Sequence, residues 1–331
     1  MRKILYVSTE SRQKFFRMTK IIIDIDTAVR EITEGNIVAL PTETVYGLGA
    51  NALNENAVVK IFEAKQRPVF NPLIVHVHDT DEFEKYGKDI PDEVYKLAER
   101  FSPGPITYIV KKKRIIPDIV TSGNDSVGLR IPSHEMFREV IKLSGVPVSA
   151  PSANRSGKIS PTTAADVLKE LDGKIDFILD GGKCKIGIES TVVSFLENEI
   201  SILRHGFITR EDIEKVTGKI NIIKNGKNIS PGLMKIHYAP FTPLYITEDA
   251  DEIKNVLKER AAVLDLKKFA DKREIALNLF SELRHLDEMK FEMIIAEKTD
   301  GEGIGAAIND RLERASSGKI KIINSKIRIT E

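Results

Sequence analysis

Short apolar runs of strand length recur along this chain, and only some are separated by a segment long enough to be a helix. IVAL (37–40), LIVHV (73–77), ITYIV (106–110), SVGLRI (126–131), VPVSA (146–150), FILD (177–180), STVVSFL (190–196) and EISILR (199–204) read as buried strands. Amphipathic segments supply helices. ENAVVKIFEAKQR (55–67) puts Ala57, Val58, Ile61 and Phe62 on one face, and Val94, Leu97, Ala98 and Phe101 recur at helical spacing after Pro91. Asp26 and Thr27 are placed to cap a short helix that Gly35 ends, and TTAADVLKEL and TREDIEKV predict two more. Several strand pairs have no helix between them. The sequence therefore predicts an α/β fold whose first sheet is mixed and twisted, not purely parallel.

The pattern breaks at GKINIIKNGKNISPG (218–232), a stretch of Gly, Lys and Asn without an acid, and restarts after Pro240. PLYI, AAVLDL and EMIIAE then alternate with helical DADEIKNVLKER, REIALNLFSELRHLDE and IGAAINDRLERA. That order predicts a smaller, Rossmann-like parallel α/β domain. The expected division is an extension at 1–19, a large domain at 20–217, a linker or lid at 218–240 and a small domain at 241–331.

Charge and cysteine content narrow the function. Lys and Arg number 50 against 49 Asp and Glu, so the chain is not polybasic. Residues 241–331 hold 16 basic and 18 acidic residues and the first 240 hold 34 and 31, which favours anionic ligands on the larger domain. The one cysteine, Cys184, excludes an internal disulfide framework or a Cys-rich zinc site and suits a reducing cytoplasm. No apolar run is long enough to span a membrane.

Two glycine patterns fit the dinucleotide fingerprint, Gly47 to Ala52 and Gly301 to Ala306. Neither has the strand, turn and distal acid in the required order, and tight packing is the better reading. No P-loop is present. His76 and His78 form an H-x-H pair without a third metal ligand nearby, so a substrate hydrogen bond is favoured over a metal. Four polar segments are unusual for core material: PTETVYGLG (41–49), KQRP with NPL (65–68, 71–73), SAPSAN with SPT (149–154, 160–162), and GIEST with RHG (187–191, 204–206). Cations at Lys65 and Arg67 suit phosphate, and small hydroxyl and amide residues let a ligand approach the backbone.

Together with SVGLRIP (126–132), HYAP (237–240) and GxGAAINDRLERAS in the tail, these segments resemble the YrdC-like family in the long two-domain form of threonylcarbamoyl-AMP synthase. The resemblance covers roughly residues 20–331. It implies a YrdC-like first domain with a concave positive groove. It also implies a nucleotidyltransferase that joins L-threonine, bicarbonate and ATP into threonylcarbamoyl-AMP and pyrophosphate. The product would pass to a separate transferase complex that modifies adenosine 37 of tRNAs reading ANN codons. No covalent nucleophile or organic cofactor is implied, only Mg2+ carried on the ATP phosphates. By motif, Lys65 and Arg67 would hold phosphate, and Asn71, Ser126, Ser152, Ser160 and Arg204 would line the ATP site. Thr44, His76, Arg130, the Ala150 backbone and Ser190 would hold threonine. Lys235 stands where the family carries a tyrosine, so an ammonium would meet phosphate there, and the linker is expected to close over the nucleotide. The alternative from another class is a module binding double-stranded RNA or tRNA through the same basic groove.

Overall fold

A computed structural model describes residues 18–197, 199–222, 237–323 and 326–330, which form two sheets. The larger sheet runs in the order Lys20–Ile22, Phe177–Leu179, Val38–Leu40, Gly47–Asn51, Val148–Ser149, Ile74–His76, Ser126–Arg130, Ile106–Lys112, Thr191–Ser194, Ser201–Arg204 and Asn221–Ile222. It is mixed. Ile74–His76 lies parallel to Ser126–Arg130 and antiparallel to Val148–Ser149. The long apolar runs of the sequence are its central strands because both faces are covered. The helices Glu55–Lys65, Asp92–Phe101 and Ala164–Leu171 pack on one face. The helices Ile25–Thr33 and Glu135–Ser144 pack on the other.

Two local expectations change. The first helix is capped by Asp24, whose carboxylate accepts from the amides of Asp26 and Thr27, so those two residues lie inside the helix. The second helix stops at Lys65 because Gln66 turns left-handed, with φ at 52°. Arg67 therefore leaves the helix axis and enters the loop beside Lys65.

The smaller sheet runs Ala261–Leu264, Met293–Glu297, Leu244–Thr247, Lys319–Ile323 and Lys326–Thr330. Its first four strands are parallel, and the last adds an antiparallel edge. Ala250–Leu257 covers one face. Lys272–Glu288 and Ile304–Ala315 cover the other, and this second face does not look into water. Val45, Ile159 and Ile188 of the larger unit share one apolar core with Leu279, Phe280, Ile308 and Leu312.

Both glycine patterns answer to packing. A Cβ on Gly49 would sit 2.7 Å from Leu40 Cδ1, and one on Gly305 would sit 2.0 Å from the Asp300 carbonyl oxygen. No helix among the described residues is long and apolar enough to cross a membrane.

Candidate active site

The parallel register sets His76 beside Arg130, where the two strands end. The 41–46 loop lies against them. Thr42 shapes this loop by accepting the amides of Thr44 (3.0 Å) and Val45 (3.1 Å) on its hydroxyl. Across from it, Ser152 forms an isolated bridge with Gly47 and brings the 150–152 segment to the same place. Arg204 arrives from the end of Ser201–Arg204, which Ile106–Lys112 and Thr191–Ser194 separate from the Arg130 strand. The result is one pocket lined by Thr44, His76, Arg130, Ala150, Arg67, Ser152 and Arg204, with Thr42, Glu189 and His237 completing the wall.

Seven of the thirteen residues singled out in the sequence line this pocket. The others take different places. Lys65 lies behind the wall, where its ammonium donates to the carbonyls of Ser152 (2.5 Å) and Asn154. It braces the loop that carries Ser152, which explains a lysine only 1% exposed. The Asn71 carbonyl accepts from Arg67 Nε at 3.2 Å and so holds that guanidinium in place. Ser160 donates to Glu189 at 2.5 Å. Ser190 accepts Arg204 Nη2 at 3.0 Å and bonds Thr107 Oγ1 at 2.8 Å. Ser126 opens the strand that Arg130 ends, so it stands at the far end from that arginine. Lys235 and residues 223–236 of the expected lid lie outside the described residues.

The motifs do not reveal the part played by two carboxylates. Arg130 does not present an empty fork: its Nη2 donates to Glu43 Oε1 at 2.6 Å and to Thr44 Oγ1 at 2.9 Å. Glu189 forms a pair with Arg311, a residue of the smaller unit, at 3.2 Å. Burial alone would raise the Glu189 carboxyl, but Arg311 and Arg204 outweigh it and hold the pKa below the ordinary glutamate value. Both acids sit inside the motifs PTET and EST. The available signal is a glutamate embedded among small residues beside an apolar strand.

Histidine chemistry is equally constrained. Burial, reinforced by Arg130, pushes His76 down to about 3, so the ring is neutral near pH 7. Its Nδ1 faces the Val148 carbonyl at 3.3 Å. A carbonyl only accepts, so the proton sits on Nδ1 and Nε2 is left as an acceptor. A ring with so low a pKa orients a donor but is too weak a base to keep its proton. His78 turns away to Asp79 at 3.2 Å. The H-x-H pair therefore does not converge, and among the described residues no three His, Cys, Asp or Glu side chains gather as a metal group.

Cationic charge also gathers at the pocket. Arg67 is held by the carbonyls of Asn71 and Pro72, and burial together with Arg204 lowers its hold on its proton. An anion placed between these guanidiniums would relieve that repulsion. The pocket thus offers a hydroxyl, a neutral imidazole, a paired arginine and clustered cations.

Residues 30–206 match the Sua5/YciO/YrdC family, described as telomere recombination, and residues 208–317 match the C-terminal domain of threonylcarbamoyl-AMP synthase. A threonylcarbamoyl-AMP synthase of Pyrococcus abyssi is 42% identical, over 87% of this chain and 93% of the relative. One of Bacillus subtilis is also 42% identical, over 89% and 94%. The solved structure of P. abyssi Sua5 complexed with L-threonine superposes with a TM-score of 0.84 at 41% identity, over 90% of this chain and 98% of that one. The chain belongs to the Sua5/YciO/YrdC family, in the form that carries the additional C-terminal domain.

Proposed function

We propose that this family member is a threonylcarbamoyl-AMP synthase, using L-threonine, bicarbonate and ATP and releasing pyrophosphate. The observation that carries the reading is the convergence, in one buried pocket, of Thr44, His76 and Arg130 with Arg67, Ser152 and Arg204. The names of its relatives and the threonine complex of P. abyssi Sua5 support the same reading.

In this reading the amine of threonine and bicarbonate combine to an N-carboxylate with loss of water. One carboxylate oxygen then forms a bond to the α-phosphorus as the bond to the β-phosphate oxygen breaks. The chain supplies alignment and charge. Thr44 and His76 Nε2 orient the amino acid, Arg130 meets its carboxylate from beside Glu43, and the 150–152 segment borders the reacting centre. Arg67 and Arg204 hold the phosphates. Glu43 and Glu189 are already paired with arginines, so Mg2+ would arrive on the ATP phosphates and take few protein ligands. The product would serve N6-threonylcarbamoylation of adenosine 37 in ANN-decoding tRNAs through a separate transferase complex.

Incubation with the three substrates and Mg2+ should give threonine-dependent pyrophosphate and an acid-labile threonylcarbamoyl-AMP, identified by mass spectrometry without any RNA present. Pyrophosphate release that does not depend on threonine, or no product of that mass, would reject the assignment. Double-stranded RNA binding in place of product formation would favour the alternative module.

A further inference from the structure

Two arginines of the pocket, Arg67 and Arg130, are both buried but differ in what answers their charge. Arg130 meets the carboxylate of Glu43 at 2.6 Å. Its Nε donates to the Gly104 carbonyl at 3.3 Å, and its Nη2 donates to Glu43 Oε1 and Thr44 Oγ1. Nη1 makes no hydrogen bond among the described residues. Arg67 instead donates to the neutral carbonyls of Asn71 and Pro72, and no carboxylate among the described residues pairs with it.

Glu43 is buried and is not one of the residues that line the pocket. Its Oε2 accepts the amide of Ser133 at 3.0 Å, and its carbonyl accepts the amide of Ile186 at 2.8 Å. Both carboxylate oxygens are taken up inside the wall, so the charge of Glu43 reaches a substrate through Arg130. His76, the neighbour of Arg130 in the register, adds no charge near pH 7.

The proposed substrates differ in charge in the same sense. ATP is a polyanion, whereas threonine at neutral pH is a zwitterion with one carboxylate and one ammonium. A buried guanidinium without a carboxylate attracts any anion, and more strongly as the anion's charge grows. One that is already neutralised still donates hydrogen bonds to a carboxylate but loses the net charge that favours phosphate over a zwitterion. We infer that Glu43 is a positioning residue that sets specificity through Arg130, keeping the amino-acid subsite near neutral so that it takes a zwitterion and turns away phosphate. The inference rests on the synthase reading, which puts threonine at Arg130 and phosphate at Arg67. It also gives a reason for a buried ion pair that apolar packing would match for stability.

The test titrates full-length wild type, Glu43→Gln and Glu43→Asp with L-threonine by calorimetry, with and without saturating inorganic phosphate, and with inorganic phosphate alone. In wild type, phosphate should change the threonine Kd less than twofold. In Glu43→Gln it should raise that Kd at least tenfold and competitively, and Glu43→Asp, which keeps the charge, should stay near wild type. A merely structural glutamate predicts weaker threonine binding in the variants with the same small response to phosphate throughout. Phosphate that competes with threonine in wild type, a Glu43→Gln variant indifferent to phosphate, or a Glu43→Asp variant as sensitive as Glu43→Gln overturns the inference. Should Glu43→Gln fail to fold, Glu43→Ser, which leaves room for water beside Arg130, carries the same expectation. Wild type that binds no threonine would instead reject the synthase reading. Phosphate alone still decides the role of Glu43 in that case, or where a variant no longer binds threonine: Glu43→Gln should take up one phosphate more than wild type, and equal uptake overturns the inference.

Discussion

Two buried arginine–glutamate pairs border the pocket, and they differ in where their partners come from. Arg130 and Glu43, 2.6 Å apart, both belong to the larger unit. Arg311 and Glu189, 3.2 Å apart, come from different units. Burying either pair costs several kcal/mol of desolvation per ion, so neither is an efficient source of stability compared with apolar packing. The contrast shows one pair built within a single unit and the other built only when two units meet.

Breaking the first pair should have the largest effect. Arg130→Ala leaves Glu43 buried without its cation, which costs about 3–5 kcal/mol of stability by the usual penalty for such a group. It should also weaken threonine binding by about 1.5–3 kcal/mol, the range of a charge-assisted hydrogen bond. Denaturant unfolding and threonine titration read the two effects separately. Unchanged threonine affinity in a folded variant would place the amino acid elsewhere.

Acid sharpens the comparison, because the pocket wall holds two buried histidines, His76 and His237. Burial lowers His76 and His237 alike to about 3. Both are neutral when folded and take up protons near pH 6.5 when unfolded. The unfolded chain therefore binds more protons, and the stability from these neutral rings is full above about 6.5 and declines as pH falls toward 3. Each histidine should contribute a slope approaching about 1.4 kcal/mol per pH unit. His76→Gln and His237→Gln should each remove one such slope between pH 6.5 and 5, where most carboxylates stay ionised. Loss of slope in only one variant would mean that the two rings are not equally closed to water.

A third pair tests whether position or burial matters. Lys169 and Glu288 also bridge the units, at 2.5 Å, but their side chains are 56% and 52% exposed. Exposed pairs are worth little, so Lys169→Ala should change stability by no more than about 0.5 kcal/mol in the same unfolding assay. A loss comparable with that of Arg130→Ala would show that crossing the boundary, not burial, sets the energy.

The central strands are legible in the sequence because burial on both faces writes itself as a continuous apolar run, as in Val38–Leu40 and Ile74–His76. The two-residue strand Gly87–Lys88 carries no such signal. The strand Lys20–Ile22 has a largely exposed pattern, so its pairing with Phe177–Leu179 cannot be read from periodicity. At the site, hydroxyls and cations near the strand ends are legible as motifs. The roles of Glu43 and Glu189 are not, because their burial depends on arginines 87 and 122 positions away. Lys65 reads as a phosphate ligand because a cation at a helix end looks the same whether it faces an anion or two carbonyls.

The distance between Glu189 and Arg311 also orders events during biosynthesis. The ribosome adds Glu189 122 positions before Arg311. At about 5–20 residues per second, that is a delay of roughly 6–25 s. Through that interval Arg130 and Glu43 already belong to a synthesised stretch that can fold, while Glu189 has no cation from the smaller unit to follow it inside. The Arg130–Glu43 pair can form on the growing chain, and the Glu189–Arg311 pair waits for the helix Ile304–Ala315.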